Sequence, residues 1–104
     1  MSEFENVSIV KRANIYFDGK VSSRTVKFAD GSTKTLGFML PGEYHFNTAD
    51  PEIMEIMSGE TEVMLAGSDQ WLKVSGGEIF EVAGNSSFTI KAIIPIDYCC
   101  SFVK

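Results

Sequence analysis

Glu52-Ile53-Met54-Glu55-Ile56-Met57-Ser58-Gly59-Glu60-Thr61-Glu62-Val63-Met64-Leu65 is the stretch on which the fold class turns. Its first six residues are all tolerated in a helix. Ser58-Gly59 stops them after less than two turns, too short to repay helix nucleation. The residues after Gly59 alternate acidic or polar with apolar, the period of a half-buried strand. Both halves therefore read as strands, over Glu52–Met57 and Glu60–Leu65. The surroundings repeat the pattern. Lys20–Phe28 is rich in β-branched residues, and Ala29-Asp30-Gly31-Ser32 follows with Asp-Gly at its tip, a hairpin signal. Thr33–Leu40 returns, Pro41-Gly42 punctuates, and Glu43–Asn47 alternates again before the Ala49-Asp50-Pro51 turn. Trp71–Val74, Glu78–Val82, Ser87–Ile93 and Tyr98–Phe102 complete the series. Nine or ten short strands and no helix predict a β-sandwich or a small closed barrel. We divide the chain into residues 1–13, an N-terminal arm or extra edge strand, and residues 14–104, the β-barrel.

A length of 104 residues suits one domain. Hydrophobic residues at 44% and charged residues at 22% exclude wholesale disorder and a fibrous repeat. No apolar run approaches the roughly 20 residues of a spanning helix. Met1–Glu5 lacks a basic region followed by an apolar block, so no signal peptide is expected. The net charge of −5 argues against nucleic-acid polymers as partners. That total hides a division. Residues 1–35 carry +2, from Lys11, Arg12, Lys20, Arg24, Lys27 and Lys34 against four acids, whereas residues 36–104 carry −7. An anionic ligand is expected to look to the basic first third. Cys99 and Cys100 are adjacent and on a strand would face opposite ways, so a bridge between them would be strained, and two cysteines exclude a disulfide framework. Free thiols point to a reducing cytoplasm.

One spacing narrows the barrel. Cupins, a jelly-roll superfamily, carry a first motif of His-x-His, three or four residues, Glu, six residues and Gly. His45-Phe46-Asn47, then four residues, Glu52, six residues and Gly59 fit that frame with Asn47 in the second His position. A second motif, Gly, five residues, Pro-x-Gly, two residues, His, is matched by Gly76, Val82-Ala83-Gly84 and Ser87, with Val82 for the Pro and Ser87 for the His. The expected fold is thus an all-β, single-domain, cupin-like jelly-roll barrel. One His, one Glu, an amide and a hydroxyl are a poor ligand set for iron, manganese or zinc, so no metal is expected.

The match extends beyond those frames. Tyr16-Phe17-Asp18-Gly19-Lys20-Val21, Lys34-Thr35-Leu36-Gly37-Phe38-Met39, Pro41-Gly42-Glu43-Tyr44-His45-Phe46 and Pro51–Ile56 occur in order. Trp71, Phe80-Glu81-Val82, Asn85-Ser86-Ser87-Phe88 and Tyr98-Cys99-Cys100 follow. This ordered set, over about residues 14–102, resembles the small cupin-fold pyrimidine/purine nucleoside phosphorylases of bacteria. The specificity lies in the order, since no single piece is a motif. Ala83 stands where that family usually has Pro, and Pro is often found there near Ala66; both are turn positions, bearing on local rigidity more than on chemistry. The resemblance implies phosphorolysis of purine and pyrimidine nucleosides to free base and ribose 1-phosphate. It also implies no cofactor beyond inorganic phosphate as co-substrate, no required metal, and a homodimer.

Such a reaction passes through an oxocarbenium-like state at the sugar carbon. It needs groups to hold phosphate, to fix the sugar hydroxyls and to assist the departing base. For phosphate the candidates are Lys20, Arg24, Lys27 and Lys34 on the basic hairpin. Lys20 and Arg24 share a face and Lys27 lies on the other, but Val21, Val26 and Phe28 mix across both, leaving the interior face open. Asn85, Ser86 and Ser87 are neutral donor candidates, and the Gly84 turn offers backbone N–H groups. For the sugar, Glu43 and Glu52 are the acids nearest the mouth by frame. Glu43, His45 and Asn47 share one face, with Tyr44 turned the other way into packing. His45, the one histidine, titrates near neutrality when unperturbed and is a donor candidate toward base or phosphate. Tyr98 and Cys100 share a face of the last strand and read as core, as do the methionines and most phenylalanines. Two rival readings remain: a non-catalytic cupin binding a small metabolite, and a metal-dependent cupin isomerase or dioxygenase. With no second domain to close over a substrate, a lid must come from the N-terminal arm, a loop or a partner subunit.

Overall fold

The computed structural model describes residues 3–103. Eleven strands run through them: β1 (Ser8–Ile9), β2 (Asn14–Tyr16), β3 (Val21–Lys27), β4 (Thr33–Met39), β5 (Gly42–Asn47), β6 (Glu52–Ser58), β7 (Glu60–Leu65), β8 (Leu72–Ser75), β9 (Glu78–Val82), β10 (Ser87–Ala92) and β11 (Ile96–Phe102). A single 3-10 turn, Phe17–Gly19, joins β2 to β3. Among the described residues no helix is long and apolar enough to cross a membrane.

The strands form two antiparallel sheets. The larger runs β1-β3-β4-β11-β6-β9, with β2 also pairing β3; the smaller runs β5-β10-β7-β8. The sheets close face to face on a core in which Met39, Ile56, Ile90, Ile96, Val21 and Val63 are fully buried. Each such side chain contributes about 1.5–3 kcal/mol on burial. This is the all-β barrel that the strand pattern predicts and the cupin-like jelly roll to which the motif spacing narrows it.

The stretch Glu52–Leu65 is two strands, as its spacing requires, but they belong to different sheets. The chain turns the corner at Gly59, whose φ is +114° and where a Cβ would lie 2.8 Å from the Pro95 carbonyl oxygen. Gly76 N donates to Gly59 O, Gly77 N to Ile56 O and Ile93 N to Glu60 O, which pins that corner. Beneath it Thr61, 1% exposed, donates its hydroxyl to Val74 O at 2.7 Å. The β3–β4 hairpin closes where Asp-Gly predicts, with Gly31 at φ +90° and Asp30 Oδ1 accepting from Ser32 N and Oγ.

Register settles the faces of the first hairpin. Val21 pairs with Met39 and Ser23 with Gly37, on the inner side. Arg24 pairs with Leu36, Leu36 with Cys99, Cys99 with Glu55 and Glu55 with Ile79, which makes one row across the outer face. Val26 is also buried, on the outer phase, where β1 pairs its strand. Nearby Phe4 meets Phe28 edge-on at 5.2 Å and the Lys34 ammonium lies 6.0 Å from the Phe4 ring. Apolar residues on both faces are why alternation alone left the interior of this hairpin open.

Candidate active site

A cavity of about 180 Å³ opens between the sheets at the end remote from Gly59. Its apolar wall is Met39, Phe46, Met54, Phe88 and Phe102; its polar wall is Tyr16, Ser23, Thr35, Asn47, Glu52, Tyr98 and Cys100. The polar wall follows from register. Thr35, Cys100 and Met54 are successive partners across β4, β11 and β6, so the Cys100 thiol sits between the hydroxyl of Thr35 and the start of β6. Glu52 opens β6, paired laterally with Phe102 and Val82.

Glu52 is the carboxylate in this wall. Burial raises its pKa, the Cys100 thiol opposes that by donating to Oε1 at 3.5 Å, and the charge of Asp50 adds to the rise. Burial also pushes the Cys100 thiol far up, reinforced by the Glu52 carboxylate beside it. The Tyr98 phenol is likewise pushed far up, by burial first and then by Tyr16, Cys100 and Glu52, with Ser23 opposing. At neutral pH Tyr98 and Cys100 are therefore protonated donors. Tyr98 lies over Gly37, where any Cβ would run into its ring, so this strand glycine is the floor on which the phenol rests. No lysine or arginine lines the cavity among the described residues, and they hold no group of three or more His, Cys, Asp or Glu arranged to take a metal.

The predicted residues divide by face. Glu52 and Asn47 line the cavity. His45 and Glu43 do not: they are exposed on the outer face of the smaller sheet, where His45 Nδ1 lies 3.0 Å from Thr89 Oγ1 and Glu43 pairs with Lys91. The inward side chains of β5 are Tyr44, 4% exposed, and Phe46. The face shared by Glu43 and His45 is thus the outer one, and only Asn47, at the strand end, reaches the mouth. The cause is phase. An irregular turn separates β5 from β6, so the spacing from His45 to Glu52 fits a motif without fixing which side each faces.

Arg24 is exposed on the outer face, and Lys34 donates to Ser101 Oγ at 2.9 Å there. Lys20 is exposed just past the 3-10 turn and Lys27 at the far end of β3. Ser87 pairs with Asn47 on the outward phase of β10. The Gly84 turn is already occupied. Asn85 N donates to Ala49 O, Ser86 N to Thr48 Oγ1, and Thr48 Oγ1 donates to Ala83 O at 2.6 Å. That clip joins the two loops beside the mouth and leaves neither amide for an anion.

Tyr16, Ser23, Thr35, Tyr98 and Cys100 are the site residues that sequence reasoning passed over. For Tyr98 and Cys100 the signal was present, since they share a parity with Phe102 on a strand that also carries the inward Ile96. Nothing in one sequence tells that β11 lies between β4 and β6.

The comparisons agree with this placement of the fold. A family model described as pyrimidine/purine nucleoside phosphorylase matches residues 11–102. The chain is similar to a protein of that name from Geobacter sulfurreducens, 62% identical over 103 residues and covering 99% of each chain. It is also similar to one from Chlorobium chlorochromatii, 60% identical with the same coverage. Among solved structures, a protein of unknown function from Acinetobacter sp. ADP1 superposes with a TM-score of 0.97 at 41% identity, covering 99% of this chain and 100% of that one. An ectoine synthase from P. lautus, at 17% identity and a TM-score of 0.69 over 80% of this chain and 63% of that one, shares the fold alone.

Proposed function

The chain belongs to the pyrimidine/purine nucleoside phosphorylase family, and from that premise we propose that its reaction takes place in the cavity between the sheets, with Glu52 facing the sugar. The protein is an enzyme, a nucleoside phosphorylase that transfers the pentose of purine and pyrimidine nucleosides to inorganic phosphate. The glycosidic C–N bond breaks with its electron pair leaving on the base, and a phosphate oxygen forms the new bond to the anomeric carbon.

The observation that carries the site is that Glu52 is the carboxylate in the polar wall, among protonated donors. A carboxylate accepts from two neighbouring sugar hydroxyls and stabilises positive charge developing on the ring. Ser23, Thr35 and the Tyr98 phenol, on the other side of Cys100, are the neutral donors we assign to phosphate. Lys20, Arg24, Lys34 and Ser87 are not needed in this arrangement, and His45 has no part in the chemistry. Glu52→Gln should lower kcat by about 100-fold or more, the usual scale for removing one group that stabilises developing charge. Unchanged turnover would overturn the assignment.

The same reading has no metal, because the inward positions of β5 carry Tyr44 and Phe46 and not ligands. Turnover should survive a chelator, and loss restored by one cation would count against it. It also has a homodimer. Leu36, Phe38 and Ile79 are 36%, 45% and 57% exposed on the outer face of the larger sheet, an apolar surface suited to a second copy. Sedimentation at one protomer mass would exclude that. Two free thiols, one on each side of β11, fit a cytoplasmic setting.

A further inference from the structure

We propose that Tyr16 is the specificity-determining platform against which the nucleobase lies, held at the cavity mouth by the strained turn Phe17–Gly19. This rests on the cavity being the active site.

Three observations converge on it. The first is strain. Phe17, Asp18 and Gly19 all have positive φ, at 51°, 56° and 89°. Glycine adopts that region freely and aspartate tolerates it, but Phe17 costs about 1–2 kcal/mol there. Four residues link Tyr16 to Val21, its partner across the β2–β3 pair, and a loop of that length can be closed without two L-residues in that region. The cost is met locally, because the Phe17 ring packs on Tyr44 at 4.9 Å and on Phe46 at 5.4 Å. What the turn secures is the placement of its neighbour. Tyr16 stays extended, at φ −128° and ψ 156°, with its ring edge-on to Phe46 at 6.0 Å.

The second observation is exposure. Tyr16 lines the cavity, touches Phe46 and yet is 43% exposed, so part of its aromatic surface is packed and part is free. The third is size. A cavity of about 180 Å³ is well below the roughly 300–1,000 Å³ of pockets that engulf a ligand. It can take the sugar and the reacting phosphate oxygen, which leaves the base at the mouth, where Tyr16 stands. A ring face reads every base alike, since purines and pyrimidines each present a π-surface, while their hydrogen-bonding edges differ. Acceptance of both classes then comes from stacking on one side chain.

The test is steady-state kinetics of Tyr16→Ala, Tyr16→Phe and Tyr16→Leu with inosine, uridine and inorganic phosphate as the varied substrates. Tyr16→Ala should raise the nucleoside KM by about 10-fold. The rise should be larger for inosine, whose base offers more area, and the phosphate KM should stay within twofold. Tyr16→Phe should behave as the parent, and Tyr16→Leu, which keeps the packing on Phe46 without a planar face, should fall between. An unchanged nucleoside KM in Tyr16→Ala would overturn the platform. So would a phosphate KM rising in step, or a Tyr16→Phe variant as impaired as Tyr16→Ala. Glu52→Gln separates this from the reading beneath it. If Glu52→Gln is inactive and Tyr16→Ala binds nucleoside normally, the platform falls and the cavity stands. If Tyr16→Ala shows the expected defect beside a fully active Glu52→Gln, the platform stands and the role of Glu52 falls.

Discussion

The two ends of the barrel are built on opposite terms. At the Gly59 end Ile56, Val63 and Ile96 are fully buried, and the buried hydroxyl of Thr61 is satisfied by a backbone carbonyl. At the other end Glu52, Cys100, Tyr98 and Asn47 share walls with phenylalanines around open space. One end spends its side chains on stability. The other keeps a half-buried carboxyl that burial disfavours in its charged form. A fold of this size can hold such a group because the first end is so completely closed.

Gly59→Ala is the harshest way to break that contrast. It forces an L-residue to φ +114° and drives its Cβ into Ile96 and the Pro95 carbonyl. We expect a loss of more than about 3 kcal/mol, read as a lowered denaturation midpoint or no soluble protein. A variant folding as well as the parent would show that the closed end is not what carries the fold.

Glu52→Gln sharpens the contrast from the other side, since it should stabilise the fold while abolishing turnover. The carboxyl pKa is raised from 4.5 in the folded state, so the fold binds that proton more tightly than the unfolded chain does. Any stability from it is present below 4.5 and is lost as pH rises through the raised value. The variant's Tm should therefore exceed the parent's at alkaline pH, with the gap closing in acid. A gap that widens in acid would mean that the ionised carboxylate is stabilised in the fold.

Cys100→Ala should act more gently, by removing the donor that holds Glu52 down. The acid limb of kcat/KM should move to higher pH, because the hydrogen bond that opposes the rise is gone, and Cys100→Ser should keep it in place. A limb that does not move in Cys100→Ala would separate the thiol from the carboxyl. The smallest effects belong to the outer faces. Arg24→Ala, Lys34→Ala and His45→Ala should each leave kcat and the phosphate KM within about twofold, as for surface changes generally. A selective rise in the phosphate KM of Arg24→Ala or Lys34→Ala would return phosphate to the basic hairpin.

The fold was legible because its signals are local. Alternation over Glu60–Leu65, Asp30-Gly31 at a hairpin tip and the short spacing of strands each follow from a few adjacent residues. The site was half legible. Glu52 and Asn47 stood out as polar groups near a turn, but His45 stood out equally and faces away. Alternation tells which residues share a face within a strand and is silent on phase across Thr48–Pro51. The basic first third was misleading for a related reason, since Arg24 and Lys34 lie on the outer row of the sheet while Ser23 and Thr35, one residue from each, face in. Cys100 and Glu52 are 48 residues apart, and their contact exists only because β11 and β6 are neighbours.

Adjacent thiols on opposite sides of one strand give the molecule a pair of built-in chemical reporters. Cys100 looks into the cavity with Glu52, and Cys99 lies in the outer row between Leu36 and Glu55. Both thiols are held protonated by burial, so alkylation of either is slow and tracks how often its own side opens. Substrate should protect the first and a bound second copy the second. Counting labelled sulfurs by mass then reads occupancy and assembly separately, from a single dipeptide.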